Sequence, residues 1–445
     1  MSLDLSVDHG ALGRAWPRLP LFPPPEGAGH APAEPPTGPV GGLTIRYLLL
    51  HAYGMGGTIR TVFNQAGEMA RLGHRVEIVS VVRRRDEPCL PLDPGVRLVT
   101  LLDRRGGPGG AGPAGWGPGR RALARLRRSI VPGGEFAADW FDAEVERAVL
   151  RYVSRLEDGV LVGTRPGVNL LIARAAGDRR RRRGGPGSPV LVAQEHMNLA
   201  THRPDVRAAI VRAYPRFDAV VVLTHADRRH YQGALPGTRV VRIPNAVRGL
   251  NQRVSRQTAR TVVAAGRLCH QKGFDLLLPA FAKVLREFPD WRLRIYGTGP
   301  RLRRLGELAR ELRLGDGVRL MGRTDRLDER LAEASLFVLS SRFEGLPMVL
   351  IEAMSHGLPV VGFDCPTGPA DVIVHGENGL LVPPEDVDGL AEAMITLIRD
   401  RELRLCMGKA ALRTVADYSP AAVMPRWHGL FTELAARPAG NRPRA

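Results

Sequence analysis

Short apolar runs alternate with segments of helical period along most of this chain, in two successive series. No other feature limits the fold so tightly. The first series reads as strand 44–50, helix 58–72, strand 75–82, a strand at 96–101, helix 136–157, strand 159–163, strand 189–194, helix 204–216 and strand 218–223. After Pro244 and Asn245 the alternation restarts. It runs through strand 261–265, helix 274–287, strand 291–296, helix 301–313, strand 318–321, helix 325–334, strand 336–340, helix 347–356 and strand 359–363, with a further helix at 388–399. Strands alternating with helices of this length make parallel sheets out of βαβ units. The expected fold class is therefore α/β, with two Rossmann-like, doubly wound domains at 44–246 and 247–418. A helix at 419–437, begun by Pro420, is expected to pack back towards the first domain, leaving a tail at 438–445.

Nine prolines between Pro17 and Pro39 make residues 1–43 a segment expected to be disordered. Gly106 to Gly119 reads as a flexible loop. Hydrophobic residues at 44% and charged residues at 24% suit globular cores. No apolar run approaches the ~18 residues of a spanning helix. The opening residues Met1-Ser2-Leu3-Asp4 lack the shape of a signal peptide. Cys89, Cys269, Cys365 and Cys406 form no CxxC pair, which argues against zinc knuckles and disulfide frameworks. A cytoplasmic protein is expected, held peripherally at the inner face of a membrane if its basic segments bind lipid.

The formal charge of +19 invites an anionic partner. Yet only Lys272, Lys283 and Lys409 among the 64 basic residues are lysine, the bias of a GC-rich coding sequence. Within Arg120 to Ile130, Leu123, Leu126 and Ile130 line one side and arginines the other, a small amphipathic helix able to lie on an anionic membrane surface. Arg179 to Arg183 are five consecutive arginines that read as a solvated run. No pattern of a nucleic-acid-binding module occurs, so no nucleic-acid partner is expected.

Ligands of doubly wound sheets bind at the carboxyl ends of strands, and four loops there carry chemistry. Gly54-Met55-Gly56-Gly57-Thr58 follows the first strand and opens a helix, whose free N–H groups suit an anion; Arg60 could add charge. It is neither a GxGxxG fingerprint nor a P-loop. Gly266-Arg267 ends strand 261–265, and Lys272-Gly273 begins the next helix. Together they place a guanidinium, an ammonium and a helix N-terminus at one strand end, the chemistry of a diphosphate site. Ser340-Ser341-Arg342-Phe343-Glu344-Gly345-Leu346-Pro347 leads into Glu352, so that two carboxylates can hold hydroxyls at different depths, with the Gly345 and Leu346 amides placed for a phosphate. Asp364 to Pro369 follows strand 359–363; Thr367 and Gly368 could reach a ligand or form a plain turn, and nothing nearby marks Cys365 as reactive.

Glu344 and Glu352 stand with seven residues between them. This spacing resembles the signature of glycosyltransferase family 4. Gly266-Arg267…Lys272-Gly273, Tyr296-Gly297-Thr298-Gly299-Pro300 and Gly376-Glu377-Asn378-Gly379-Leu380-Leu381 follow that family's order and spacing. The resemblance covers about residues 44–437 and is looser in the first half, where it rests on Gly56-Gly57-Thr58 and Pro244-Asn245. It implies a GT-B fold, two domains facing across a cleft, and a retaining hexosyltransferase. The co-substrate would be a UDP- or GDP-linked sugar, with no other cofactor and no metal.

By the same resemblance, Arg267 and Lys272 would hold the diphosphate, Glu352 the ribose and Glu344 the transferred sugar. Gly345 and Leu346 would contribute main-chain contacts, Gly56 and Gly57 would line the cleft, and His196 in Gln194-Glu195-His196 would stand near the donor sugar. Glu195 could be its partner or the contact itself. Asp386-Val387-Asp388 is formally a DxD metal motif, but it precedes a helix where Asp386 reads as an N-cap.

The acceptor would be a lipid-linked, polymeric or small hydroxyl compound, in envelope, extracellular-polysaccharide or teichoic-acid-like synthesis. Alternatives are a transferase for an inositol phosphate or natural product, or a non-catalytic basic scaffold.

Overall fold

The computed structural model describes residues 42–105, 129–182, 188–247, 249 and 253–437. Strands β1 (Thr44–Leu49), β2 (Arg75–Arg83), β3 (Val96–Asp103), β4 (Val160–Gly163), β5 (Val190–Gln194), β6 (Ala219–Val222) and β7 (Val240–Arg242) form one sheet in the order β3-β2-β1-β4-β5-β6-β7. Strands β8 (Thr261–Ala265), β9 (Arg292–Tyr296), β10 (Val318–Gly322), β11 (Leu336–Leu339), β12 (Val360–Phe363) and β13 (Gly379–Val382) form the second, in the order β10-β9-β8-β11-β12-β13. Every pairing is parallel. Central strands such as Ala-Val-Val-Val in β6 and Leu-Phe-Val-Leu in β11 are buried throughout, as a parallel sheet covered on both faces requires.

The strand order reverses beside β1, which pairs with β2 and β4, and beside β8, which pairs with β9 and β11. Crevices at such reversals receive ligands. The loops that open there are those after β1 and β4 in the first sheet and after β8 and β11 in the second.

Several elements differ from expectation. The helix expected at 136–157 is a short turn, Ala138–Trp140, followed by a helix at Ala143–Ser154. Asp142 stops the two from merging, because its carboxylate caps the second helix through the Glu144 and Val145 amides. A helix at Pro166–Arg182 fills the interval left without one, and Arg179–Arg182 form its last turn; Arg183 lies outside the described residues. Helices His225–Ala234 and Arg401–Val415, and strands β7 and β13, also escaped the periodicity. Pro347 is the N-cap, not the first residue, of helix Met348–Ser355. The expected loop at 106–119, the amphipathic segment up to Arg128, residues 1–41 and the tail 438–445 lie outside the described residues. Among the described residues, no helix is long and apolar enough to cross a membrane.

The last helix, Pro420–Ala436, buries Val423, Trp427, Leu430 and Phe431 in the same core as Ile59, Val62 and Met69 of helix Gly57–Arg71. Thus the end of the chain becomes part of the first sheet's covering layer. Trp427 is 2% exposed, with its ring 5.3 Å from that of Phe431. Trp427→Ala should therefore cost about 3–5 kcal/mol, read as a lowered urea midpoint; an unchanged midpoint would show that the helix docks without contributing stability.

Candidate active site

The loop after β8 turns sharply on Gly273, whose backbone is left-handed (φ 59°) and whose missing Cβ leaves room for the Ser340 carbonyl. Only glycine fits there. The same holds at Gly297, where a side chain would strike the Gly266 carbonyl. Backbone hydrogen bonds hold the two loops together: Gly266 N–H donates to the Tyr296 carbonyl at 2.9 Å, and Leu268 N–H to the Thr298 carbonyl at 2.9 Å. The Tyr296-Gly297-Thr298-Gly299 run is thus a clamp on the turn that carries Arg267.

The Lys272 stem lies across Gly266, where an added Cβ would stand 3.2 Å from its methylenes. Its ammonium donates to Glu344 Oε1 at 2.6 Å, and Ser341 Oγ donates to the same oxygen at 2.5 Å. The loop after β11 is stitched to the loop after β8. Ser340 Oγ donates to the Lys272 carbonyl, Arg342 N–H to the Gln271 carbonyl, and the Arg342 guanidinium makes paired 2.9 Å bonds to both Asp275 oxygens. Thr367 and Gly368 brace this loop from behind. Thr367 Oγ1 donates to the Glu344 carbonyl at 3.1 Å, and Gly368 leaves room for the Gly345 carbonyl. Cys365 is buried, and burial pushes its thiol up to about 12, so it is not poised as a nucleophile.

The assembled loops enclose a cavity of about 710 Å³, lined by Arg267, Lys272, Gly297, Arg323, Glu344, Leu346 and Glu352 among others. Among the described residues Arg267 makes no ion pair, and the Gly345 and Leu346 amides donate to nothing. Glu352 lies in helix Met348–Ser355; burial pushes its carboxyl up to about 7, while Arg60, 4.0 Å away on the opposite domain, draws it partly back. A half-buried carboxyl of this kind suits hydroxyl groups.

Across the cleft, Gly56 caps helix Gly57–Arg71 in extended backbone, and a Cβ on Gly57 would meet nothing within 4 Å. Packing within the protein does not demand glycine at 57; the residue faces open cleft. The two sides meet closely: a Cβ on Gly345 would stand 2.6 Å from the His196 carbonyl oxygen, and Arg323 Nη2 lies 3.0 Å from Met55 Sδ. His196, Gly57 and Thr58 share a second cavity of about 420 Å³ with Lys272, Glu344 and Gly345. Burial, with Arg165 adding to it, lowers the His196 imidazole to about 4, so it is neutral at physiological pH. Its Nε2 is shielded from solvent without a partner among the described residues.

The structure thus brings Arg267, Lys272, Glu344, Glu352, Gly345, Leu346, Gly56, Gly57 and His196 to one cleft and sets Thr367 and Gly368 behind it. Asp386 and Asp388 do not converge on a ligand. Asp386 accepts the Gly389 amide at 2.9 Å as a helix cap, and Asp388 pairs with Lys283. Sequence reasoning missed Arg323, Asn245 and Gln271 as cleft residues and Arg165, Glu135 and His202 as a cluster beneath His196. Two of them had a readable signal: Asn245 stands in the Pro244-Asn245 pair, and Arg165 follows the strand expected at 159–163.

Residues 250–414 match the family described as glycosyl transferases group 1. Over 406 residues the chain is 35% identical to the exopolysaccharide phosphotransferase of Streptomyces coelicolor, covering 89% of this chain and 41% of that protein. It is 27% identical to the poly(ribitol-phosphate) alpha-N-acetylglucosaminyltransferase of Staphylococcus aureus, covering 50% of this chain and 45% of the relative. The chain therefore spans less than half the length of either. A Staphylococcus aureus TarM variant, solved with fondaparinux, alpha-GlcNAc-glycerol and UDP, superposes with a TM-score of 0.66 at 16% identity, over 87% of this chain and 99% of TarM; the likeness establishes the architecture. Two facing parallel sheets and the matched second half place residues 250–414 among the group 1 glycosyl transferases, on a chain with the GT-B fold.

Proposed function

We propose that the protein is a retaining glycosyltransferase that moves a hexose from a uridine-diphosphate-linked donor to a hydroxyl of an envelope or extracellular polysaccharide, or of a teichoic-acid-like polymer. The observation that carries this reading is the convergence of Arg267, Lys272, Glu344, Glu352 and the free Gly345 and Leu346 amides on one cavity at a strand reversal. The named relatives act on exopolysaccharide and poly(ribitol-phosphate), and TarM was solved with UDP, which supports both polymer and nucleotide. The phosphotransferase name belongs to a protein more than half of which lies outside the match.

In this reaction the bond between the sugar's anomeric carbon and the diphosphate oxygen breaks as the bond to the acceptor oxygen forms on the same face. The acceptor proton passes to the departing phosphate oxygen. Arg267 and Lys272 face the charge that grows on the leaving group, and charge fixed in place before reaction lowers such a barrier. Lys272 also fixes the Glu344 carboxylate, which accepts from hydroxyls of the transferred sugar, while Glu352 accepts from the ribose. His196 stands over the sugar from the opposite domain, with its imidazole neutral. Arg267 and Lys272 provide the positive charge that a metal ion supplies in other transferases.

The test is UDP release from UDP-glucose, UDP-galactose and UDP-N-acetylglucosamine, with polyol-phosphate or polysaccharide as acceptor. One donor should turn over to an α-linked product, and Lys272→Ala should lower the rate by about 10²–10³-fold, the usual cost of deleting one preorganised charge-stabilising donor. Glu344→Gln should lower turnover while UDP affinity changes little, because its carboxylate meets the sugar and not the nucleotide. Full turnover by Lys272→Ala, or a β-linked product, would refute the reading.

A further inference from the structure

The chain passes between the two domains twice, near Val247 on the way out and near Tyr418 on the way back. The two passages are joined, since the Val247 N–H donates to the Tyr418 carbonyl at 2.8 Å. Beside them lies the short helix Pro369–Val372, which follows β12. The Tyr418 hydroxyl donates to the backbone carbonyl of Asp371 at 3.0 Å. The Asp371 carboxylate reaches into the first domain. Its Oδ1 accepts the N–H of His225, the first residue of helix His225–Ala234, at 2.6 Å, and lies 3.7 Å from Arg242 Nε at the end of β7. A helix N-terminus and a guanidinium both favour a carboxylate. The Asp371 side chain is only 7% exposed, so its charge would be costly without these partners. Leu223 of the first domain shares one buried cluster with Val247, Leu346, Val372 and Tyr418, which closes the junction to water.

The segment that carries Asp371 meets the Glu344 loop at its other end. Thr367 donates to the Glu344 carbonyl through its N–H at 3.3 Å and its hydroxyl at 3.1 Å, and the Glu344 N–H donates to the Pro366 carbonyl at 3.2 Å. Gly368 then leaves room for the Gly345 carbonyl. Residues 366–371 thus form a short brace, with the Glu344 loop at one end and the first domain at the other. Gly345 in turn stands against the His196 carbonyl of the first domain. By contrast, the Arg60–Glu352 contact across the cleft is 4.0 Å long and leaves the Arg60 side chain 60% exposed.

We infer that Asp371 is a positioning residue that pins the first domain against the Glu344 loop, and so sets how His196 and Glu344 face one another across the transferred sugar. The inference rests on the glycosyl-transfer reading of the cleft. Asp371 lines neither cleft cavity. Transfer needs contacts from both domains at once, and a misplacement of about 1 Å can cost about 10²-fold in rate. The nucleotide meets Arg267, Lys272 and Glu352, all of the second domain, so its binding depends on the pin far less than turnover does.

UDP release by the full chain from the donor it turns over, with UDP affinity measured beside it by calorimetry, tests this. Asp371→Ala should lower kcat by about 10²-fold and leave UDP affinity within about threefold. Asp371→Asn, which still accepts the His225 N–H, should recover most of that loss. Arg242→Gln, a second variant should Asp371→Ala not fold, should show the same split between turnover and affinity with a smaller drop. His196→Ala should cost the parent at least about tenfold in kcat and the Asp371→Ala variant less than about threefold, because an imidazole already out of place has little left to lose. Lost stability alone would leave those two effects equal. Unchanged kcat in folded Asp371→Ala, a loss of UDP affinity as large as the loss of kcat, or equal effects of His196→Ala in the two backgrounds would overturn the inference. A parent chain that does not bind UDP, or releases it from no donor, would instead count against the glycosyl-transfer reading, and the pin would fall with it.

Discussion

The Lys272–Glu344 contact ties the site together. It joins the loops after β8 and β11, which meet only because the strand order reverses between them. Lys272 is 16% and Glu344 7% exposed at their side chains, so each charge would be costly without the other. Around the pair, Arg342–Asp275 and the glycine contacts at 273 and 297 leave the loops little freedom to drift. Arg267 is outside this network and free to meet a ligand's charge. The fold thus supplies one cation that is structural as well as electrostatic and one that is uncommitted.

Electrostatics separates the two sides of the cleft. On the second-domain side, cations and free amides converge. On the first-domain side Arg165 is paired with Glu135, and burial lowers the His196 and His202 imidazoles to about 4, so both are neutral at physiological pH. The two halves approach so closely at Gly345 that a methyl group there would touch the His196 carbonyl.

The convergence of the second-domain residues on one cavity was legible in the sequence because their spacing is local. Gly266-Arg267, Lys272-Gly273 and the Glu344 to Glu352 run are short segments at strand ends, where backbone amides and glycine turns leave a readable spacing. The first-domain pocket was not, since it depends on partners far apart in the chain: Arg165 with Glu135, and Glu195 with Asn169 and Tyr214. Helix Pro166–Arg182 was hidden for a different reason. Gly167, where a Cβ would meet the Phe141 ring, Gly177 and the arginine run interrupt the apolar period that marks a helix, yet arginine is a good helix former. Thr367 and Gly368 stood at the right strand end but face the Glu344 loop, a distinction that spacing alone does not carry.

Titration calorimetry with UDP and GDP on the intact chain, beside Lys272→Ala and Glu352→Ala, tests the donor-site account most directly. The account predicts micromolar binding of UDP, weaker binding of GDP, and at least a tenfold loss of UDP affinity in each variant whose fold is unchanged. Absence of nucleotide binding by the folded protein, or equal affinity in all three proteins, would contradict it.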